Sequence, residues 1–256
     1  GAGGTITTSG DGPFVLEPAE LTSRGEIRLV ADEGRHPVIY FPADDGRGSS
    51  NALLRVRASL LEMVGCHFVM VDPPDGGATC IDVERGDVSL RNCSITVLGR
   101  PSSPVTALSI GGEGRRTSTV RGFFPASAES RCLLEGVVCR GEWLTAVHLQ
   151  GEQSELVAGG CLLSSGAAPT LVLSGDKARR SSDSDEVGRS LRLLATTLIS
   201  GDCAVEFVRS GSARHPPPCE VVVRKSLLAA GDAARDPARP AMVTLVDWAG
   251  STSNLN

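Results

Sequence analysis

Carboxylates, histidines and cysteines are the residues of this 256-residue chain whose chemistry depends on where they stand. Acid–base cleavage needs a pair of acids at a set separation, or a carboxylate with a Lys or Arg that abstracts a proton. Glu62, Glu135, Arg140 and His67 are the candidates for such catalysis, because each falls at an outward position of a recurring phrase. One outward ladder reads Glu62, Ser89, Glu135, Val157, Arg192, Val222 and a second His67, Ser94, Arg140, Leu162, Thr197, Leu227. Glu62 and Glu135 are then two rungs apart, about 9.6 Å at the interstrand spacing. That lies at or beyond the long end of the range for an inverting pair. A third ladder, Arg55, Asp82, Ser109, His148, Val172, Glu206, Thr244, offers His148 as a candidate binding residue and Arg55 beside Asp82 as a cross-strand ion pair.

The eight cysteines include no Cys-x-x-Cys or Cys-x-x-His pair, so their spacing implies no metal site and no cofactor. Cys66, Cys93, Cys139 and Cys161 share one inward position and read as a ladder of reduced thiols, with Cys203 inward as well. Cys80 points outward on the same reading, and Cys132 and Cys219 close insertions. These three are the thiols open to oxidation or reaction. Neither a Ser/His/Asp grouping nor a phosphate loop or dinucleotide fingerprint is present.

The elements that must carry these residues are repeats. One phrase places an apolar residue first, a Cys or small hydroxyl sixth and an apolar residue eighth. It occurs at Leu61–Phe68, Val88–Ile95, Leu134–Gly141, Leu156–Leu163, Leu191–Leu198 and Val221–Leu228, broken only by Gly136 and Gly141. A second phrase, alternating at period two, begins at Ala52, Thr79, Thr106, Thr145, Pro169, Cys203 and Ala241, with intervals of 27, 27, 39, 24, 34 and 38 residues. Short alternating strands in such units predict an all-β parallel solenoid of about seven coils with loop insertions. Only nine residues are aromatic, which fits a narrow stacked interior where a large ring would distort the rungs above and below it.

The phrase Val88-Ser89-Leu90-Arg91-Asn92-Cys93-Ser94-Ile95 resembles the rungs of right-handed parallel β-helix proteins of the pectate-lyase-like superfamily. The resemblance spans roughly residues 25–249, with 1–24 as a lead-in or cap and 250–256 as a tail. It implies a monomeric module excised from a larger bacterial multidomain protein, and a fold without a particular reaction.

Charge and insertions bound the partners. The net charge is −5, from 25 basic and 30 acidic residues, and no aromatic residues interleave the basic ones, so nucleic acid is not expected. No apolar run approaches the length of a membrane span. Insertions at 112–130, 174–190 and 208–219 fall in equivalent intervals and are expected to project from one corner, bringing Arg115, Arg116, Phe123, Phe124, Arg179 and Arg180 forward as candidate binding residues. The expected function is a non-catalytic module that binds an extended polysaccharide or protein partner, or that spaces domains. The alternative is a polysaccharide lyase or glycoside hydrolase acting on the outer face of the sheet. Scarce aromatic rings count against a sugar-binding platform.

Overall fold

The computed structural model describes residues 3–41, 52–73, 77–111, 130–151, 154–174, 189–208, 219–230 and 243–245. Among these residues the regular elements are all strands and every strand pair is parallel. The strands form because Leu, Val, Ile and small residues recur at every second position, so that one side of each strand meets the interior.

They fall into three sets. The first holds β1 (Gly4–Thr8), β4 (Glu26–Ala31), the second half of β6 (Ala52–Val64), the second half of β8 (Thr79–Arg91), β11 (Ser130–Glu135), β14 (Ser154–Gly159), β17 (Arg189–Leu194) and β20 (Cys219–Arg224). The second holds β2 (Phe14–Val15), β5 (Val38–Phe41), β7 (His67–Val71), β9 (Ser94–Leu98), β12 (Val138–Gly141), β15 (Leu162–Ser165), β18 (Thr197–Ser200) and β21 (Leu227–Ala230). The third holds β3 (Ala19–Thr22), the first halves of β6 and β8, β10 (Val105–Ile110), β13 (Leu144–Gln150), β16 (Leu171–Ser174), β19 (Val205–Val208) and β22 (Val243–Leu245). The long strands β6 and β8 join the first and third sets into a 14-stranded sheet, while the second set is an 8-stranded sheet. From β9 onward each strand pairs with the one three places later. The chain therefore returns to the same sheet position every third strand, in curled parallel sheets consistent with a β-solenoid.

Stacking brings like positions together across rungs. The columns Leu61–Val88–Cys132–Leu156–Leu191, Phe68–Ile95–Cys139–Leu163–Leu198 and Leu54–Ile81–Leu108–Val147–Leu171–Val205 are each 3% exposed or less. The interior does admit rings. Phe41 and Phe68 are fully buried and stack at 6.1 Å between centroids with planes 12° apart, so adjacent rungs absorb aromatic side chains by layering them.

One repeat has a register different from the expected one. Cys132, not Leu134, pairs with Val88 and Leu156, so the third copy of the first phrase runs from Cys132 to Cys139. Val137 then takes the thiol position, while Cys139 lies beside Ile95 and Leu163. This shift places Gly136 in a column with Gly65, Asn92, Gly160, Ala195 and Lys225, all of which have positive φ between 49° and 70°. Their backbone N–H groups donate along the column, Asn92 to the Glu135 carbonyl and Gly136 to the Gly159 carbonyl. The thiol or hydroxyl that follows this turn donates to the carbonyl two residues back: Cys66 to Val64, Cys93 to Arg91, Cys161 to Gly159, Thr196 to Leu194 and Ser226 to Arg224. Capping that carbonyl is the physical reason the position favours Cys, Thr or Ser.

Candidate functional site

The corrected register separates the proposed catalytic residues. Glu62 shares its outward column with Arg28, Ser89, Leu133, Val157 and Arg192, whereas Glu135 shares one with Arg91 and Gly159. Arginines tie the two acids together. Glu62, 8% exposed, takes the Arg28 Nε on Oε2 and has Arg91 Nη1 3.8 Å from Oε1, while Glu135 Oε2 lies 3.5 Å from Arg91 Nε. His67 and Arg140 do not join them, because they belong to the 8-stranded sheet. Arg140 Nε donates to Thr96 Oγ1 at 3.2 Å, and His67 Nδ1 lies 2.8 Å from Ser94 Oγ.

On the third set, Arg55 Nε stands 3.6 Å from Asp82 and 3.2 Å from Glu84, and Arg57 bridges Glu84 and Glu20, so the anticipated ion pair is part of a longer chain of charges. His148 has Ser174 Oγ 2.7 Å from Nε2 and Gln150 Nε2 3.5 Å from Nδ1. Burial lowers its pKa against the opposing pull of Asp82, which keeps the imidazole neutral at neutral pH. Arg115, Arg116, Phe123, Phe124, Arg179 and Arg180 lie outside the described residues.

The thiols need a larger correction. Cys80 and Cys132 are fully buried, not outward and not open to reagents. Cys80 stands in the column Leu53, Cys80, Ala107, Ala146, Thr170, Ala204, every member of which is 6% exposed or less. The bridging register steps over Leu53, Cys80, Ala107 and Ala146 where the chain bends into the third set. Two successive residues, such as Cys80 and Ile81, are therefore buried at that corner, and strict alternation misassigns the first of them. Desolvation raises the thiol pKa of Cys66 to about 12 and that of the partly exposed Cys219 to about 11. Desolvation likewise comes first for Cys80, Cys93, Cys132, Cys139 and Cys161, so none of these is a thiolate at neutral pH.

A different cluster is the most anomalous polar feature of the first set. Arg131, Glu155, Ser190 and Glu220 are neighbours on successive strands β11, β14, β17 and β20. Asp87 precedes Val88, the partner of Cys132, which sets it beside Arg131. Their parity is outward, yet Asp87 is 5%, Arg131 4%, Glu155 1% and Ser190 4% exposed. Both carboxylate oxygens of Glu155 and the hydroxyls of Ser89 and Ser190 lack a hydrogen-bond partner among the described residues. Arg192 Nε lies 3.8 Å from Glu155 Oε1, and its Nη2 lies 3.6 Å from Glu220. Burial pushes the Glu155 pKa up, Arg192 and Arg131 pull it down, and Glu220 pushes it up further. At that burial the cluster is an interior charge network closed to a ligand, in which guanidinium groups face a carboxylate that has lost its water.

Sequence reasoning missed this cluster because its phrase began at Leu156 and Leu191, one residue after Glu155 and Ser190. The available signal was a polar residue immediately before the first apolar one in successive repeats.

No group of three or more His, Cys, Asp and Glu side chains is placed to hold a metal among the described residues, and no helix there is long and apolar enough to cross a membrane. Comparison with protein-family models, curated proteins and solved structures finds no match.

Proposed function

We propose that the chain is a right-handed parallel β-helix module of about seven coils, of the pectate-lyase-like kind, which holds an extended partner along its outer ladders without cleaving it. The observation that carries this reading is the seating of Arg91 between Glu62 and Glu135. Both acids that would do the chemistry are held in ion pairs on different columns, so neither is matched with the other as acid and base. Outward polar side chains repeat at the rung spacing of about 4.8 Å, a period that favours a repeating, extended partner. A hydroxyl-rich glycan is the partner whose donors and acceptors complement the accessible charged groups of these ladders, Arg28, Arg91 and Glu135.

The test is affinity electrophoresis of the chain through acidic and neutral polysaccharides, paired with assays for new reducing ends and for the ultraviolet absorbance of unsaturated products. Retardation without turnover is expected. Turnover that disappears in Glu135→Gln would overturn the reading in favour of a lyase or glycosidase on the outer face. Retardation by no polysaccharide would leave a protein partner or a spacer role.

A further inference from the structure

Two imidazoles meet on the second set, away from the cluster around Glu155. His36 is exposed in the turn before β5, and His67 opens β7. The His67 N–H donates to the Pro37 carbonyl at 3.0 Å, which fixes the one backbone against the other. Asp11 pins the turn from the far side: its Oδ1 accepts the His36 backbone N–H at 2.8 Å and its Oδ2 lies 3.3 Å from Arg35 Nη1. The two ring centroids are 5.8 Å apart with planes tilted by 44°.

That separation suits a shared ion. With metal–nitrogen bonds of about 2.0–2.1 Å, two imidazoles on one ion have centroids roughly 5–6.5 Å apart, the value depending on the angle at the metal. Ser94 Oγ, 2.8 Å from His67 Nδ1, fixes that ring and leaves Nε2 as its free nitrogen, in the way an outer-shell partner orients a ligating imidazole.

We propose that His36 and His67 together bind one divalent transition ion of borderline softness, Zn2+, Ni2+ or Cu2+, with water completing its coordination. Imidazole selects these ions over Mg2+ and Ca2+, which prefer oxygen ligands. The bound ion clamps the turn before β5 to the neighbouring strand β7.

Calorimetric titration of the whole chain with ZnCl2 is expected to show one ion per chain. Affinity should fall about tenfold or more in His36→Gln and in His67→Gln, and by a smaller factor in Ser94→Ala. It should be unchanged in His148→Gln and in Cys219→Ser, the latter removing the one thiol that is not fully shielded. Melting temperatures without metal establish that each variant is folded. On the unaltered chain, electron paramagnetic resonance with Cu2+ should show nitrogen couplings from imidazole, a readout that needs no variant. Absence of binding at millimolar Zn2+, survival of binding in the His36→Gln/His67→Gln double variant, or its loss in Cys219→Ser would each overturn the proposal. None of these outcomes bears on whether the outer ladders hold a polysaccharide.

Discussion

Substitution in the turn column tests the register on which the separation of Glu62 from Glu135 depends. Gly136 has φ +61° and Ala195 has φ +49° in the same column. An L-residue with a Cβ pays about 1–2 kcal/mol in the left-handed region. Gly136→Ala takes on that cost, and its new Cβ would come within 2.7 Å of Asn92 Oδ1, the far end of a side chain that has room to turn away. The expected loss is about 1–2 kcal/mol, or a melting temperature lower by roughly 2–8 °C at about 2–4 °C per kcal/mol for a chain of this size. Ala195→Gly runs the other way. Relief of about 1–2 kcal/mol is offset by about 0.5–1 kcal/mol of extra unfolded-chain entropy, for a net gain of about 0.5–1 kcal/mol. Circular-dichroism melts of the two variants and the parent measure both. In the register anticipated from the apolar phrase, Gly136 is instead an inward strand position, where adding a methyl group is neutral or stabilising. A stabilised Gly136→Ala, or an Ala195→Gly that destabilises by more than 1 kcal/mol, would refute the column. Glu135 would then return to the ladder of Glu62, and the case for a paired-carboxylate enzyme would revive.

Two further outcomes follow from burial. The Glu155 pKa is raised above its ordinary 4.5, so the protonated form is the one the fold prefers: its stabilising contribution is complete below 4.5 and is lost as pH rises through the folded value. Glu155→Gln mimics that protonated form, and denaturation measured against pH should show it more stable than the parent at neutral pH, with the advantage vanishing toward pH 4.5; a variant less stable at neutral pH would mean that Arg131 and Arg192 outweigh desolvation. Cys93 is 2% exposed and its thiol donates to the Met63 and Arg91 carbonyls, so Cys93→Ser keeps the donor while Cys93→Phe overpacks the rung. Melts should show Cys93→Phe losing about 1–3 kcal/mol or more and Cys93→Ser losing less; equal tolerance of the two would place the side chain outside.

The parallel-strand architecture was legible because its signal, apolar residues at period two repeated over many units, is the same physical fact that buries one side of each strand. Register within that pattern was not. A one-residue slip exchanges the two faces of a strand and is visible at once, but a two-residue slip preserves parity, so Cys132–Cys139 and Leu134–Gly141 fit the apolar rule almost equally well. Backbone conformation breaks the tie. Gly136, an interruption under the wrong alignment, stands among residues of positive φ under the right one, where a missing Cβ is an advantage. The same limit explains Cys80, since alternation assumes a straight strand and fails where the chain bends and buries consecutive residues. It explains Glu155 as well. Hydropathy patterns locate the apolar positions of a rung and are blind to its outward ones, whose burial depends on what neighbouring rungs place beside them. A carboxylate such as Glu155 therefore becomes conspicuous only when register sets Arg131 and Ser190 on either side and leaves its oxygens without donors. On a stacked fold of this kind, candidate sites are properties of columns rather than of contiguous motifs, and aligning the turn residues before the apolar ones is the step that makes such columns readable.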